Sequence, residues 1–176
     1  MRIDAFGLHL RNHPVKEPSH MRTLPVVTDP LESGAVIIRT DYQNEEAWQL
    51  VVAEIDQPWG GVDAHEPVFT IVNDPAWAGA TVDEIREVAS SDEELSVVFI
   101  VDRLAVHSDN HALLAVNTSN WEDDEYGADA IERDREFRTT PAGVHHVQAN
   151  LAVGNLAFQE YADWAQEFPE GILRPE

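Results

Sequence analysis

Three apolar runs of the sequence each end at an aspartate: IIRTD at 37–41, TIVND at 70–74 and FIVDR at 99–103. In open α/β sheets the carboxyl ends of parallel strands meet at one edge, and ligands bind beyond that edge. We therefore expect Asp41, Asp74 and Asp102 to lie at one edge, with Arg39 and Arg103 beside them. Three carboxylates could hold a hard cation such as Mg²⁺. Two of them could instead act as an acid and a base if their environments separate their pKa values.

The same aspartates have a purely structural interpretation. Aspartate is common where a strand leaves the core, because its carboxylate makes turns and accepts hydrogen bonds from nearby backbone amides. For any single aspartate of the three, this structural role is favoured over a role in a site.

A second group that could bind a metal is HSDNH, where His107, Asp109 and His111 fall within one predicted turn. The segment lacks the helical spacing and the glutamate of the HExxH zinc motif, so the metal signal is weak. His145 and His146 begin the last predicted helix. Because adjacent helical residues point in different directions, at most one of them is expected in a shared site.

The sequence lacks several residues and motifs that mark well-known catalytic and cofactor-binding sites. The chain has no cysteine, which excludes disulfides, thiolate metal sites and a cysteine nucleophile. It also has no GxGxxG, P-loop or GxSxG motif, so no cofactor is predicted apart from the divalent cation considered above.

The elements that would position these residues alternate between strand and helix. Strands are predicted at 35–42, 67–74 and 95–103, and the helices between them begin at Asn44 and at the capping box TVDE, residues 81–84. Only eight residues separate the third strand from ALLAVNT at 112–118, which is too short for a helical crossover and predicts an antiparallel pair. EFRTT at 136–140 resembles an edge strand, and residues 144–168 predict two helices joined by an elbow at Gly154–Asn155.

The predicted fold is therefore α/β, with a β-α-β-α-β parallel core extended by an antiparallel strand pair and closed by a C-terminal helical segment. Residues 1–30, which contain four prolines, are predicted to form an irregular N-terminal extension, and Met21 could be a second translation start. Residues 31–176 are predicted to form a single domain with an acidic loop at 121–136.

The charge is the strongest compositional feature: 33 acidic and 11 basic residues give a formal net charge of −22. Such a charge repels nucleic acid and anionic membranes and attracts basic partners, although solubility in a saline cytoplasm would also favour it. No run of residues is apolar enough for a membrane span or a secretory signal. We expect a cytoplasmic protein that binds neither nucleic acid directly nor membranes, and whose oligomeric state is left open.

Five segments, in order, are similar to an uncharacterised bacterial family known only as a domain of unknown function: IIRTDYQNEEAWQLV, VNDPAWAGATVDEI, FIVDR, EFRTTP and ANLAVGNLAFQEYAD. The resemblance covers roughly residues 21–168 and includes Arg39–Asp41, Asp74–Pro75, Gly79–Thr81 and Asn150–Leu151. It implies one family-wide domain. It assigns no activity, and it draws attention to Asp41, Asp74, Asp102 and Arg103 without giving them roles.

Two functions are consistent with the sequence, and a purely structural or regulatory subunit is a third. The leading hypothesis is a small acidic cytoplasmic binding protein, such as an immunity-type inhibitor or a regulator of a basic protein. The alternative is a divalent-cation-dependent enzyme that uses the aspartates at the strand ends.

Overall fold

The computed structural model describes residues 23–27, 34–92, 95–119 and 135–175, which form a mixed α/β domain. Its strands are β1 Ala35–Arg39, β2 Phe69–Val72, β3 Val97–Val101, β4 Leu113–Asn117, β5 Glu136–Thr139 and β6 Ile172–Leu173. Its helices are α1 Glu45–Ile55, α2 Val82–Ala89, α3 Arg103–His107, α4 Gly143–Ala152 and α5 Phe158–Glu167. The predicted acidic loop lies outside the described residues, except for its last two positions.

The six strands form one sheet in the order β2-β1-β3-β4-β5-β6. β1 pairs in parallel with both β2 and β3, which confirms the predicted β-α-β-α-β core. β4 is antiparallel to β3, as the short connection before β4 predicts, and it also pairs antiparallel with β5. The carboxyl ends of β1, β2 and β3 therefore share one edge of the sheet.

Helices cover both faces of this sheet. α1, α4 and α5 pack on one face, where Trp48, Phe99 and Tyr161 are buried. α2 packs on the other face with the fully buried Trp77. β1 and β3 are covered on both sides, and this explains why their sequences are continuous apolar runs.

Local sequence signals position most helix boundaries. The Asn44 side chain accepts from the Ala47 amide at 3.0 Å and caps α1. Thr81 and Glu84 form the predicted capping box of α2. Gly154, at φ +64°, makes the elbow between α4 and α5. Asn155 lies two residues before Ala157, the N-terminal capping position of α5, and its side chain donates to Asn150 at 2.7 Å, which ties the elbow together.

Three details differ from the sequence prediction. β5 is not an edge strand, because β6 pairs with it in parallel and forms that edge. The turn predicted after β3 contains a short helix, α3, which begins directly after Asp102. The described part of the predicted N-terminal extension has neither helix nor strand, but Leu24 and Val27 are buried against Trp77 in the core.

None of the helices in the described part of the chain combines the length and the apolar character needed to cross a lipid bilayer.

Candidate functional site

The three strand-end aspartates each bind a backbone amide just beyond their strand. Asp41 accepts from the Gln43 amide at 2.9 Å, Asp74 from the Ala76 amide at 2.9 Å, and Asp102 from the Ala105 amide at 3.0 Å. This is the turn-making and capping role of aspartate. Within the described ranges, no group of three or more His, Asp or Glu side chains could hold a metal ion. The structure therefore places these aspartates at one edge of the sheet, and the divalent-cation enzyme stays a prediction.

Asp102 makes a second contact, an ion pair across the sheet with Arg138 of β5. The Arg138 guanidinium lies 2.5 Å from Asp102 Oδ2 and 3.2 Å from Oδ1, and it also donates to the Ala112 carbonyl at 2.8 Å. Both side chains are largely shielded from solvent, which strengthens a charge-assisted bond. Asp102 therefore joins α3 to the antiparallel half of the sheet, while its sequence neighbour Arg103 is exposed.

Replacing Asp102 with asparagine should lower the free energy of unfolding by about 1.5 kcal/mol, because asparagine still caps α3 but loses the charge-assisted bond to Arg138. Asp102→Ala should cost about 1 kcal/mol more, since the cap is also lost. Urea denaturation of the two variants measures both steps, and the exposed Arg103→Gln is the control, expected within about 0.5 kcal/mol of the wild type. Equal stability of the asparagine and alanine variants would contradict the capping role.

Arg39, at the end of β1, is the most deeply buried of the predicted site residues, with 2% of its surface exposed. Its guanidinium lies over the rings of Tyr42 and Trp48, at 4.4 and 4.8 Å from their centroids. Nε donates to the Asp41 carbonyl at 2.9 Å, and Nη1 lies 2.8 Å from the Glu45 carboxylate. Nη2 is buried and has no hydrogen-bond partner among the described residues.

The residues of the predicted histidine site have separate surroundings. His107 is the last residue of α3 and is exposed. His111 Nδ1 lies 3.2 Å from both carboxylate oxygens of Glu54, at the last turn of α1. Asp109 instead lines a cleft that the sequence did not reveal.

This cleft has a volume of about 490 Å³ and is formed where the end of α1, the loop after it, the turn after α3 and the start of α4 meet. We call it the Trp59 cleft. Its lining residues are Glu54, Ile55, Gln57, Pro58, Trp59, Gly60, Gly61, Asp109, Asn110, Thr140, Pro141, Ala142, His145, His146 and Pro175. Both His145 and His146 line this cleft, although they are adjacent in the helix.

His145 is the most buried polar group of the Trp59 cleft, with 4% of its surface exposed. Its Nε2 donates to the Ile55 carbonyl at 2.8 Å, so in the neutral ring Nδ1 is an acceptor. Its ring lies against Trp59 and Phe69, with centroids at 6.1 and 5.9 Å. Burial lowers the pKa of His145 from its ordinary value of 6.5, although the bond to Ile55 and the charge of Asp56 act in the opposite direction.

Because its pKa is lowered in the folded protein, neutral His145 contributes stability that is present above pH 6.5 and is lost as the pH falls below it. His145→Gln keeps a donor for the Ile55 carbonyl but does not titrate. We therefore expect the wild type to lose stability relative to this variant between pH 7 and pH 5, measured by urea unfolding at each pH. A difference that does not change with pH would contradict a buried neutral histidine at this position.

Signals for the Trp59 cleft in the sequence are indirect. Trp59 stands between Pro58 and Gly60 in a predicted turn, an unusual place for a large aromatic residue. The other lining residues run from Glu54 to Pro175, more than a hundred positions apart, so only the tertiary structure brings them together.

Comparison with known proteins gives a family but no activity. A search of the curated proteins found no match to this chain. The family model described as "Domain of unknown function (DUF6924)" matches residues 34–176, which include every strand and helix described above. The expectation of a domain of unknown function is thereby confirmed, and the chain belongs to this family.

Proposed function

We propose that this protein is a small acidic binding protein of the cytoplasm that recognises a basic protein partner, as an immunity-type inhibitor or a regulator does. The observation that supports the proposal is an excess of exposed negative charge over exposed positive charge at the surface. Five of the six arginines in the described residues bind an acceptor within the fold, and only Arg103 is exposed without such a contact, whereas most of the carboxylates are exposed.

Five arginines illustrate this imbalance. Arg39 binds Glu45, Arg135 binds Asp83, Arg138 binds Asp102, Arg174 binds Glu170, and Arg86 donates to the Asn117 carbonyl at 2.9 Å. Each of these guanidinium groups has an acceptor within the chain. The positive charge of the four arginines paired with carboxylates is therefore largely compensated before any partner arrives.

The exposed carboxylates are spread over helices, connecting segments and the start of β5. They are Glu45, Glu46, Glu54, Asp56, Asp63, Glu66, Asp74, Asp83, Glu87, Asp109, Glu136, Glu160, Asp163, Glu167 and Glu170. Such a surface attracts a positively charged protein from a distance, raises its rate of association and opposes binding to phosphates.

The proposal predicts an interaction that weakens steeply with salt. The purified full-length protein is immobilised and incubated with an extract of its own cells at about 0.05 M salt, where screening is weak. Retained proteins are eluted in steps of rising salt and identified. We expect a specific partner of high isoelectric point, whose affinity, remeasured with the purified partner, falls by about tenfold or more when the salt is raised to about 0.2 M.

Two results would contradict this function. One is a retained partner that is neutral or acidic. The other is an affinity that does not respond to salt or to the replacement of exposed carboxylates by amides. The acidic segment 121–136 is included in these replacements, since its carboxylates are part of the net charge.

A further inference from the structure

The Trp59 cleft has the chemistry of a site for a cationic group. Two carboxylates line it, those of Glu54 and Asp109, and none of its described lining residues is lysine or arginine. Burial lowers the pKa of both lining histidines, so they are neutral near pH 7 and add no compensating positive charge. The charge of the cleft is therefore negative.

Two side chains of the cleft, Asn110 and His145, have an acceptor atom without a described hydrogen-bond donor. Asn110 Oδ1 is buried and has no hydrogen-bond partner among the described residues. His145 is more than nine-tenths buried, and because Nε2 is used on the Ile55 carbonyl, its remaining nitrogen, Nδ1, offers a lone pair. No described residue donates to that nitrogen. A head group that only donates hydrogen bonds suits these acceptors and the two carboxylates of the cleft better than one that accepts them.

The apolar part of the cleft suits a long basic side chain. Trp59, Pro58 and Pro141 contribute carbon-rich surface beside the acceptors. Lysine and arginine side chains combine an apolar stem with a head group that only donates hydrogen bonds, and a cation over an aromatic ring gains a further attraction. His111 lies 3.2 Å from both oxygens of Glu54 and so holds that carboxylate at the rim.

We propose that the Trp59 cleft receives the guanidinium or ammonium group of an arginine or lysine side chain presented by the basic partner. This inference rests on the proposed function, since the partner supplies the side chain. It locates the specific contact within a surface whose other carboxylates act mainly through long-range attraction.

The test uses a defined probe, a nonapeptide with one central arginine among glycine and serine, and its citrulline counterpart, which has nearly the same shape without the charge. Binding to the full-length protein is followed by two-dimensional NMR at fixed ionic strength. We expect the arginine peptide to shift the amide signals of Gly60, Gly61 and Asn110 with a Kd of about 1 mM. The citrulline peptide should bind at least about tenfold more weakly, because it lacks the charge.

Matched variants separate the effect of the cleft carboxylates on binding from the effect of the overall charge of the protein. Glu54→Gln/Asp109→Asn removes two charges inside the cleft, and Glu87→Gln/Asp163→Asn removes two exposed charges on α2 and α5. The first pair of substitutions should weaken binding of the arginine peptide by about tenfold. The second pair should weaken it by less than about twofold. Equal effects of the two pairs, or equal binding of arginine and citrulline peptides, would overturn the proposal. Saturable binding of spermidine without binding of the arginine peptide would also overturn it, in favour of a free polyamine.

The same variants distinguish this inference from the proposed function. If the captured basic protein binds the cleft variant as tightly as the wild type, the cleft is not its contact, but recognition of a basic partner stands. If no basic partner is found and the arginine peptide still occupies the cleft, the proposed function fails and the site for a cationic side chain stands.

Discussion

Replacing Gly143 with alanine is expected to lower the free energy of unfolding by about 3 kcal/mol. Gly143 is the first residue of α4, the helix that carries His145 and His146 into the Trp59 cleft. A Cβ atom at this position would lie 2.1 Å from Thr139 Oγ1 and 2.9 Å from Pro175 Cδ. Thr139 is completely buried at the end of β5, so its side chain has little space to move away. Helix propensity alone predicts that alanine stabilises the helix. A loss of stability in Gly143→Ala would therefore be caused by the clash.

The clash can also be relieved by shortening the Thr139 side chain. Thr139→Ala removes the oxygen that the new methyl group would meet, and should destabilise the protein by itself because it empties a buried position. In the double variant the two losses should not add, and the coupling should be about 1 kcal/mol or more in favour of the pair. Urea denaturation of the four proteins gives this cycle. Additive losses would show that the alanine side chain at position 143 does not clash with Thr139.

The sequence was sufficient for the parts of the fold that depend on local pattern. The runs of apolar residues at β1 and β3 predicted strands buried on both faces, and Asn44 and the Thr81–Glu84 capping box predicted the starts of two helices. These signals act over a few residues, so they can be read without knowing what the element packs against.

Elements defined by long-range pairing were not predictable in the same way. β6 consists only of Ile172–Leu173, and it is a strand because β5 lies beside it. α3 has five residues, too few to show helical periodicity, although Asp102 before it is a favourable capping residue. The missed β6 is also the reason that β5 was wrongly predicted to be an edge strand.

The candidate sites also divide into features set by local sequence and features set by long-range contacts. The sequence correctly placed the three aspartates at strand ends, and their use as turn and capping residues followed from local chemistry. The Trp59 cleft depends on contacts between α1 and α4 and on the bond from His145 to the Ile55 carbonyl, which joins residues 90 positions apart. No local pattern encodes such a contact.

Arg39 tests whether a buried charge in this fold serves stability or another purpose. Arg39→Ala is expected to lower the free energy of unfolding by about 3 kcal/mol, because it leaves a cavity between Tyr42 and Trp48. Arg39→Met fills much of that volume and removes the buried Nη2 that has no described partner. Since well-packed apolar replacements of buried charges are often neutral, it should remain within about 1 kcal/mol of the wild type.

The contacts of Arg39 lead to an order of stability that can be measured by urea denaturation. Arg39→Lys keeps the charge but loses the planar stacking and the Nε bond to the Asp41 carbonyl, so it should be less stable than Arg39→Met. Glu45→Gln is the control, expected to leave the stability close to that of the wild type, because Glu45 is mostly exposed. A methionine variant as unstable as the alanine variant would show that the guanidinium bonds themselves stabilise the fold. A stable methionine variant that no longer binds the basic partner would instead give the buried guanidinium a role in recognition.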